Sequence, residues 1–307
     1  MDKISSIQNA RRSRSNARIR SAVASDRAMT GVFYLVAGFF LLFLFVFAAY
    51  IIITGFANAQ PYMFSFTKKG IGNQFFNTIY LVFLSLLISV PIGILAGIYM
   101  AEYAKPGKLT NFLRICIETL SSLPSIVVGL FGYLVFIVLT HAQWNLFAGA
   151  LAVSILSLPL IATTTEDAFR SLPDSYKKGS LGMGATLRQT ICTVLLPAAA
   201  PRIITGVILA AGRGFGEAAA LLYTAGMSTD ISWANLNILS PTNPFNPFRP
   251  GETLALNIWG SRTEALAADA AEIANLSSAV LMIMVLSFSL LAHLLEGRIK
   301  KKMGDTK

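Results

Sequence analysis

The stretch NQFFNTIYLVFLSLLISVPIGILAGIYM, residues 73–100, contains no Asp, Glu, Lys or Arg along its whole length. A helix rises about 1.5 Å per residue, so a run of this length can cross the roughly 30 Å hydrocarbon core of a bilayer. The whole chain has the same character, because 54% of its 307 residues are hydrophobic, 13% are charged and the mean hydropathy is +0.62. The sequence therefore predicts an integral membrane protein.

Five further apolar blocks flank this stretch. They cover residues 30–55, 122–141, 147–165, 202–225 and 273–297. Backbone polar groups in lipid must bond within the spanning segment, and these blocks lack the alternation of barrel strands, so helices are expected. Prolines such as Pro91, Pro124 and Pro159 are interpreted as kinks or packing features rather than helix ends. The predicted fold is an all-α integral membrane bundle of six transmembrane helices.

Basic residues collect on one side of such a six-span chain. Of the 25 Lys and Arg residues, 20 lie in the N-terminal segment, after the second block, between the fourth and fifth blocks, or in the tail. The positive-inside bias then predicts that both termini are cytoplasmic. The expected organisation is a basic cytoplasmic segment over 1–29, a membrane domain over 30–300 and a cytoplasmic tail over 301–307. Membrane lipid, and not nucleic acid, is the expected partner of these charges, because no aromatic platform lies among them.

The sequence lacks the usual signatures of an enzyme or of a resident cofactor. It has no His-Glu-x-x-His pair for zinc, no phosphate-binding loop ending in Gly-Lys-Ser/Thr and no Gly-x-Ser-x-Gly nucleophile turn. Cys116 and Cys192 make no disulfide framework, and His141 and His293 stand alone. We therefore expect a protein that is not an enzyme, that binds no metal or cofactor itself, and that relies on another chain for any ATP chemistry.

The informative hydrophilic stretch between the fourth and fifth blocks is the 166–201 segment. Proline, aspartate and glycine positions predict a first short helix over about 173–184. A second short helix is expected over about 186–196, where Pro197 stops it. Two short helices at an angle would form a compact knob outside the membrane, a shape suited to rigid contact with a soluble partner.

Six residues of this segment resemble the coupling-helix signature of ABC (ATP-binding cassette) importer permeases. They are Gly184, Ala185, Thr186, Val194, Leu196 and Pro197. The resemblance implies the type I, MetI-like permease fold, in which Gly184 makes the tight turn and Leu196 and Pro197 dock the second helix on the bundle. Lys178 stands where the family usually has an acidic residue, so the usual charge contact with the ATPase does not carry over. An ordinary surface turn is the alternative interpretation.

Two other stretches, residues 98–103 and 123–132, are similar to the phosphate importer permeases, and closer to the PstA type than to its PstC-type partner. The resemblance runs from about residue 72 to the last block. It implies a homologous PstC-type permease subunit, two copies of a cytoplasmic ATPase subunit that hold ATP and Mg²⁺, and an extracytoplasmic phosphate-binding protein. It also implies phosphate import by alternating access across the bacterial cytoplasmic membrane.

The fifth block contains GRGFGEAA, residues 212–219, with Arg213 near the middle of the expected span. An arginine at that depth normally faces protein or a water-filled path. Glu217 follows four residues later, so the two side chains are expected to pair on one helix face, while three glycines let another helix approach. Because a guanidinium fits a tetrahedral oxyanion, we interpret Arg213 and Glu217 as translocation-path residues. A structural ion pair that only locks the helix is the alternative.

The extracytoplasmic loop over about 226–270 includes a helical-looking run from Leu254 to Ala267. It is large enough to receive a binding protein, or to form a packed cap. Permeases for sulfate, molybdate or phosphonate are alternatives within the importer class, because a guanidinium alone separates these anions poorly. A secondary transporter is a further alternative, although it would need no knob such as the 166–201 segment.

Overall fold

The structure, a computed structural model, describes residues 2–67, 70–228, 230–264 and 269–304. All regular elements in these ranges are helical, and the ranges contain no strand. The helices are α1 Asp2–Ala57, α2 Gly72–Ile98, α3 Lys108–Ser122, α4 Ser125–Gly132, α5 Leu146–Arg170, α6 Asp174–Gly182, α7 Leu187–Thr190, α8 Leu196–Phe215, α9 Ala219–Thr224, α10 Leu254–Thr263 and α11 Ala270–Gly304. π-helical turns continue three of them, over Tyr99–Tyr103 after α2, Tyr133–Val138 after α4 and Ile191–Leu195 after α7.

The long helices confirm the all-α membrane class. Five stretches are long and apolar enough to cross a bilayer, namely Ser25–Ala57, Gly72–Tyr103, Leu146–Arg170, Leu187–Phe215 and Ala270–Arg298. A sixth span is counted when α3 is taken together with Ser125–Val138, although the two are bent by 102°. The expected run from Leu254 to Ala267 is helical as far as Thr263, and Ala265–Ala267 lie outside the described residues.

The chain forms two compact units, the first ending at Ile51 and the second beginning at Ile52. In the first unit, α1 presents a continuous apolar surface, with Phe33 and Leu41 among its exposed side chains. Successive rings stack along this helix, as Phe39 does on Phe43. Such a helix suits a membrane environment, where exposed apolar side chains face lipid tails or another subunit.

In the second unit, α2 and α5 cross at very short distance because glycines line the contact. A Cβ added at Gly93 would lie 2.8 Å from the Ile161 Cβ, and one at Gly97 would lie 2.5 Å from the Thr165 Cβ. Neither distance is possible between real side chains, so the absence of a side chain permits this approach. The crossing places the ends of α2 and α5 side by side, and these ends carry part of the candidate site.

The start of the fifth span differs from the expectation that Pro197 stops a short helix. The chain is helical without a break from Leu187 to Phe215. A π-helical turn leads into α8, since the Leu196 N–H donates to the Ile191 carbonyl five residues back. Pro197 then falls in the first turn of α8, where a missing N–H is tolerated, so the expected helix end there is wrong.

The end of the fifth span also differs, because the expected block over 202–225 is two helices. α8 ends at Phe215, and the Gly216 N–H donates to the Arg213 carbonyl at 3.2 Å in a closing turn. α9 starts at Ala219 after three residues outside both helices. The break falls in the glycine-rich stretch, where glycine lowers helix stability by about 1 kcal/mol per residue relative to alanine.

Candidate functional site

The 166–201 segment contains the turn that the sequence predicts. Gly184 has φ +85°, the left-handed region that favours glycine at the end of a helix. The Gly184 N–H donates to the Leu181 carbonyl and the Ala185 N–H to the Ser180 carbonyl, a Schellman arrangement that closes α6. Thr186 then caps α7 in a reciprocal capping box with Gln189. The short helix α6 is thus joined to the start of the long helical stretch Leu187–Phe215 by a turn with defined hydrogen bonds on both sides, so the expected second short helix is the beginning of the fifth span.

The outward side of α6 is bare. A Cβ atom added at Gly179, Gly182 or Gly184 would have no atom within 4 Å among the described residues outside the nearby backbone. Met183, next to these glycines, is 90% exposed. Lys178, on the same helix, donates to Asp174 at 3.0 Å, and both side chains are exposed. An exposed pair of this kind contributes little to stability, so it leaves the surface open for a partner.

Leu196 and Pro197 have different surroundings. Leu196 is partly buried and packs against a cluster that includes Phe169, Leu195 and Ile203. Pro197 is exposed on the surface of α8. Leu196 therefore packs against the bundle, whereas Pro197 lies on the exposed surface.

A network of charged side chains holds the ends of α2, α3, α5 and α6 together. The Lys177 Nζ on α6 donates to a Glu102 carboxylate oxygen at 2.6 Å, in the π-helical turn after α2. On α5, one oxygen of Glu166 accepts from Arg114 of α3 and from Arg170, both at 2.9 Å. The Glu166 side chain is only 10% exposed, so its two partners offset the loss of hydration.

The network also reaches the backbone of α2, because Arg170 Nη2 donates to the Met100 carbonyl at 3.1 Å. Sequence reasoning missed this arrangement. The i,i+4 spacing of Glu166 and Arg170 is a usable signal for a helical pair. No such signal exists for Glu102 and Lys177, which are 75 residues apart.

Arg213 and Glu217 do not pair as expected. Arg213 is exposed on α8, and no ion pair to it occurs in the part of the chain that the structure describes. Glu217 lies beyond the end of α8, is buried, and accepts from the Ala220 N–H at 3.1 Å. The expected i,i+4 pair is wrong because the helix ends at Phe215, and Glu217 caps the first turn of α9 instead.

The three glycines around Arg213 also have different surroundings. A Cβ at Gly214 would lie 3.3 Å from the Val82 Cγ2, so this glycine brings α8 close to α2. A Cβ added at Gly212 would have no atom within 4 Å among the described residues outside the nearby backbone of its own helix, and a Cβ added at Gly216 would lie 3.9 Å from the Arg213 carbonyl oxygen. Within the part of the chain that the structure describes, the side of α8 that carries Gly212 and Arg213 is therefore open.

Between α9 and α10, the loop is anchored by a buried arginine without a carboxylate partner among the described residues. Arg249 is 1% exposed and donates to the carbonyls of Asn243, Pro244 and Pro250 and to the Asn77 side chain on α2. A buried guanidinium needs such a full set of acceptors to offset its lost hydration. Burial lowers the pKa of Arg249 to about 10.

Glu252 lies in the same seam and is also buried. Its Oε2 accepts from the amides of Gln74 and Asn257, and its backbone carbonyl accepts from Asn77. Burial raises the pKa of Glu252, and the two amide hydrogen bonds oppose that shift. The loop is thus fastened to α2 by polar side chains, which composition alone did not predict.

No group of three or more His, Cys, Asp or Glu side chains suited to a metal ion occurs among the described residues.

Comparison with known proteins gives this geometry a context. Residues 89–305 match the family described as "Binding-protein-dependent transport system inner membrane component". The chain is 46% identical over 287 residues to the "Probable ABC transporter permease protein YqgI" of Bacillus subtilis (strain 168), covering 91% of this chain and 97% of that protein. It is 37% identical over 158 residues to the phosphate transport system permease protein PstA of Xylella fastidiosa (strain 9a5c), covering 52% of this chain and 55% of that protein.

Two solved structures share the fold. A bacterial ABC transporter involved in the import of the acidic polysaccharide alginate superposes with a TM-score of 0.61 at 16% identity, covering 92% of this chain and 99% of that one. The MetNI methionine ABC transporter superposes with a TM-score of 0.55 at 19% identity, covering 78% of this chain and 99% of that one. These superpositions confirm the expected type I, MetI-like permease fold.

Proposed function

The chain belongs to the family of binding-protein-dependent transport system inner membrane components, and we propose that within this family it moves inorganic phosphate across the bacterial cytoplasmic membrane. It is a permease subunit of an ABC importer. The observation that carries the substrate is the likeness to PstA proteins over about half of the chain. The methionine and alginate transporters share only the fold, so they favour no substrate for this chain.

The open side of α8 supports an anion as substrate. The Arg213 guanidinium is a planar fork of donors that fits two oxygens of a tetrahedral oxyanion. A charge on the exposed side of a spanning helix is stable only where it meets water, a partner subunit or an anion. We place Arg213 in the translocation path, where it lowers the barrier for phosphate without binding it so tightly that release stops.

Glu217 takes a different role from the pairing that its spacing suggests. Its carboxylate accepts from the Ala220 N–H and so fixes the start of α9 just beyond Arg213. In this proposal Glu217 positions the helix break beside the path. The open side at Gly212 forms part of the seam with a second, PstC-type permease subunit.

Transport would follow alternating access. Two cytoplasmic ATPase subunits, which hold ATP and Mg²⁺, would bind the 166–201 segment of each permease and rock the pair around the path. This chain holds no cofactor of its own in the proposal. The coupling contact would use Lys178 and the turn at Gly184, Ala185 and Thr186, and an extracytoplasmic phosphate-binding protein would dock on the loop over about 226–270.

The proposed orientation places both termini in the cytoplasm. It rests on the excess of Lys and Arg on the side that carries the 166–201 segment. The proposed boundaries remain 1–29 for the basic segment, 30–300 for the permease domain and 301–307 for the tail. Residues 305–307 lie outside the described residues.

The experiment that tests the substrate is ATP-dependent uptake of labelled phosphate by cells with and without this chain. Unlabelled sulfate, molybdate and phosphonate serve as competitors. We expect uptake to depend on the chain and on ATP, and to resist the three competitors. Competition by one of them would assign the importer to that oxyanion instead, and uptake that persists without ATP would favour a secondary transporter.

The role of Arg213 is tested by Arg213→Gln in the assembled complex. Loss of a charged hydrogen-bonding partner costs about 1.5–3 kcal/mol, so we expect uptake to fall about tenfold or more. Leu209→Gln is the matched control, because it introduces the same amide on the exposed side one turn earlier and keeps the guanidinium. Equal uptake by the two variants would remove Arg213 from the path.

A further inference from the structure

Helix α3 lies nearly at right angles to the short span that follows it. α3 and the stretch Ser125–Val138 are bent by 102°. The bend has a local cause, because Leu123 and Pro124 are both extended, with ψ 132° and 138°, and an extended pair cannot continue a helix. If Ser125–Val138 crosses the bilayer, α3 must run close to the membrane plane.

The position of α3 along the bilayer normal is fixed by its contact with α5. Arg114 of α3 donates to Glu166, in the last turns of α5. α5 has 25 residues, about 37 Å at about 1.5 Å per residue, so its last turn reaches the edge of a bilayer core of about 30 Å. α3 therefore lies at a membrane–water boundary, on the side that carries the 166–201 segment.

Around its axis, α3 has three distinct sides. One side faces the protein, with Leu113, Ile117 and Leu120 partly buried. A second side is mainly apolar and open, with the exposed Thr119 also on it, and its large apolar side chains are strongly exposed. They are Leu109, Phe112 and Ile115, at 63%, 61% and 59% exposure.

The third side of α3 is polar and open. Asn111, Glu118 and Ser121 lie on it, and all three are exposed. A helix in water would gain nothing from a large apolar side beside this polar one, and a helix within the hydrocarbon core would not expose a carboxylate. An apolar flank and a polar flank on one helix are what a helix lying in the interface requires.

The charges near the start of α3 point to the same environment. Lys105 precedes the helix, Lys108 is its first residue, and both are exposed. Cations at a helix N-terminus oppose the helix dipole, and no acidic residue in the first turn offsets them. Anionic lipid phosphates at the membrane surface would neutralise these charges.

We propose that α3 is an interfacial helix that inserts Leu109, Phe112 and Ile115 into the leaflet on the side of the 166–201 segment. Lys105 and Lys108 contact anionic headgroups there, and the polar flank faces water. Through the Arg114–Glu166 contact, the state of this leaflet acts on the same end of α5 that leads into α6. α3 is then not part of the sixth transmembrane stretch, which begins at Ser125. The proposal concerns the membrane and does not depend on which substrate is carried.

Depth-dependent tryptophan fluorescence tests the proposal in the full chain, reconstituted in vesicles with brominated lipid tails. Phe112→Trp and Asn111→Trp place the probe on the apolar and polar flanks of the same helix. Fluorescence of the wild-type chain, which has Trp144, Trp233 and Trp259, is subtracted. We expect bromine to quench the probe at 112, and aqueous acrylamide to quench the probe at 111. Quenching of the probe at 112 by acrylamide, or its protection from both quenchers, overturns the proposal, since water or a protein would then cover this flank.

Lipid composition tests the charged part independently. Thermal stability of the wild-type chain is compared in vesicles of neutral phosphatidylcholine and of phosphatidylcholine mixed with anionic phosphatidylglycerol. Lys105→Gln with Lys108→Gln should reduce the gain in melting temperature from the anionic lipid. Arg262→Gln, which removes one exposed charge at the end of α10, is the control and should keep that gain. An unchanged gain in the double variant would show that these lysines do not contact headgroups.

Discussion

Replacing Glu102 with Gln should weaken the coupling between ATP hydrolysis and transport while the complex stays assembled. The Lys177 Nζ of α6 lies 2.6 Å from a carboxylate oxygen of Glu102, in the turn that continues α2. Among the described residues, this is the ion pair that joins α6 to a membrane-spanning helix. Glutamine keeps the size of the side chain and one acceptor, so the substitution removes the charge with little change in packing.

The size of the effect follows from the burial of the two partners. The Glu102 side chain is 10% exposed and the Lys177 side chain 39%, so the pair lies between a surface and a buried contact. Exposed pairs contribute about 0.2–1 kcal/mol, and hydrogen bonds to charged groups about 1.5–3 kcal/mol. A loss of about 1–2 kcal/mol changes the attached population of α6 by a factor of about 5–30. We therefore expect a several-fold fall in substrate imported per ATP hydrolysed.

The assay measures ATP hydrolysis and import together in proteoliposomes that contain the whole importer, with any substrate that the wild-type complex carries. Asp174→Asn is the control, because it removes the exposed pair with Lys178 on the same helix and should leave the ratio unchanged. Exchanging the charges, Glu102→Lys with Lys177→Glu, should restore part of the ratio. A wild-type ratio in Glu102→Gln would refute transmission through this pair.

Three further predictions concern stability. Burial raises the pKa of Glu252, so the folded state holds the proton more tightly than the unfolded chain, and stability should fall as pH rises from about 4.5 through the folded pKa. Glu252→Gln should therefore melt at a higher temperature than the wild type near neutral pH, by a margin that shrinks towards pH 4.5. A margin independent of pH would contradict this reasoning. Gly97→Ala should lower the free energy of unfolding of the purified chain by about 1–3 kcal/mol in denaturant titrations, because its Cβ would overlap Thr165. Gly212→Ala has open space around the new Cβ, so the same titration should show no change or a gain of about 0.5–1 kcal/mol. Equal effects at the two glycines would count against the close crossing of α2 and α5. In Gly184→Ala the new Cβ would have no neighbouring atom of the described residues within 4 Å, so the loss of stability comes from the backbone strain of a positive φ, about 1–2 kcal/mol. An unchanged melting temperature would argue against the positive φ.

The sequence was sufficient for features that depend on local composition. Apolar runs such as residues 73–100 predicted spanning helices because length and polarity alone decide membrane insertion. Gly184 was predictable as a turn because few other residues adopt a positive φ at low cost. The turn expected at Gly184 is present, and its coupling role stays a prediction.

Sequence-based predictions were wrong where they assumed the wrong extent of a helix. The spacing of Arg213 and Glu217 implies a pair only on an unbroken helix, and α8 ends between them. The tertiary environment decides this break, since Glu217 is buried where it can cap α9. Pro197 gave the opposite error, because a π-helical turn before it allowed the helix to continue. Glu102 and Lys177 meet only through folding of the whole membrane domain, which no periodicity reports.

The close contact of α2 with α5 at Gly97 also positions the charged side chains that link these helices to α6. Gly97 lets α2 approach α5 at Thr165, which immediately precedes Glu166. That approach brings the Met100 carbonyl within 3.1 Å of Arg170, and it sets Glu102 where Lys177 of α6 can reach it. A loose connection would absorb a displacement applied to α6. Here α6 is linked by hydrogen-bonded charges to two helices that pack closely, because α2 presents glycines to Ile161 and Thr165 of α5. Motion at the 166–201 segment should therefore move α2 and α5 together, and the open side of α8 that carries Arg213 would shift with them through the contact between Gly214 and Val82.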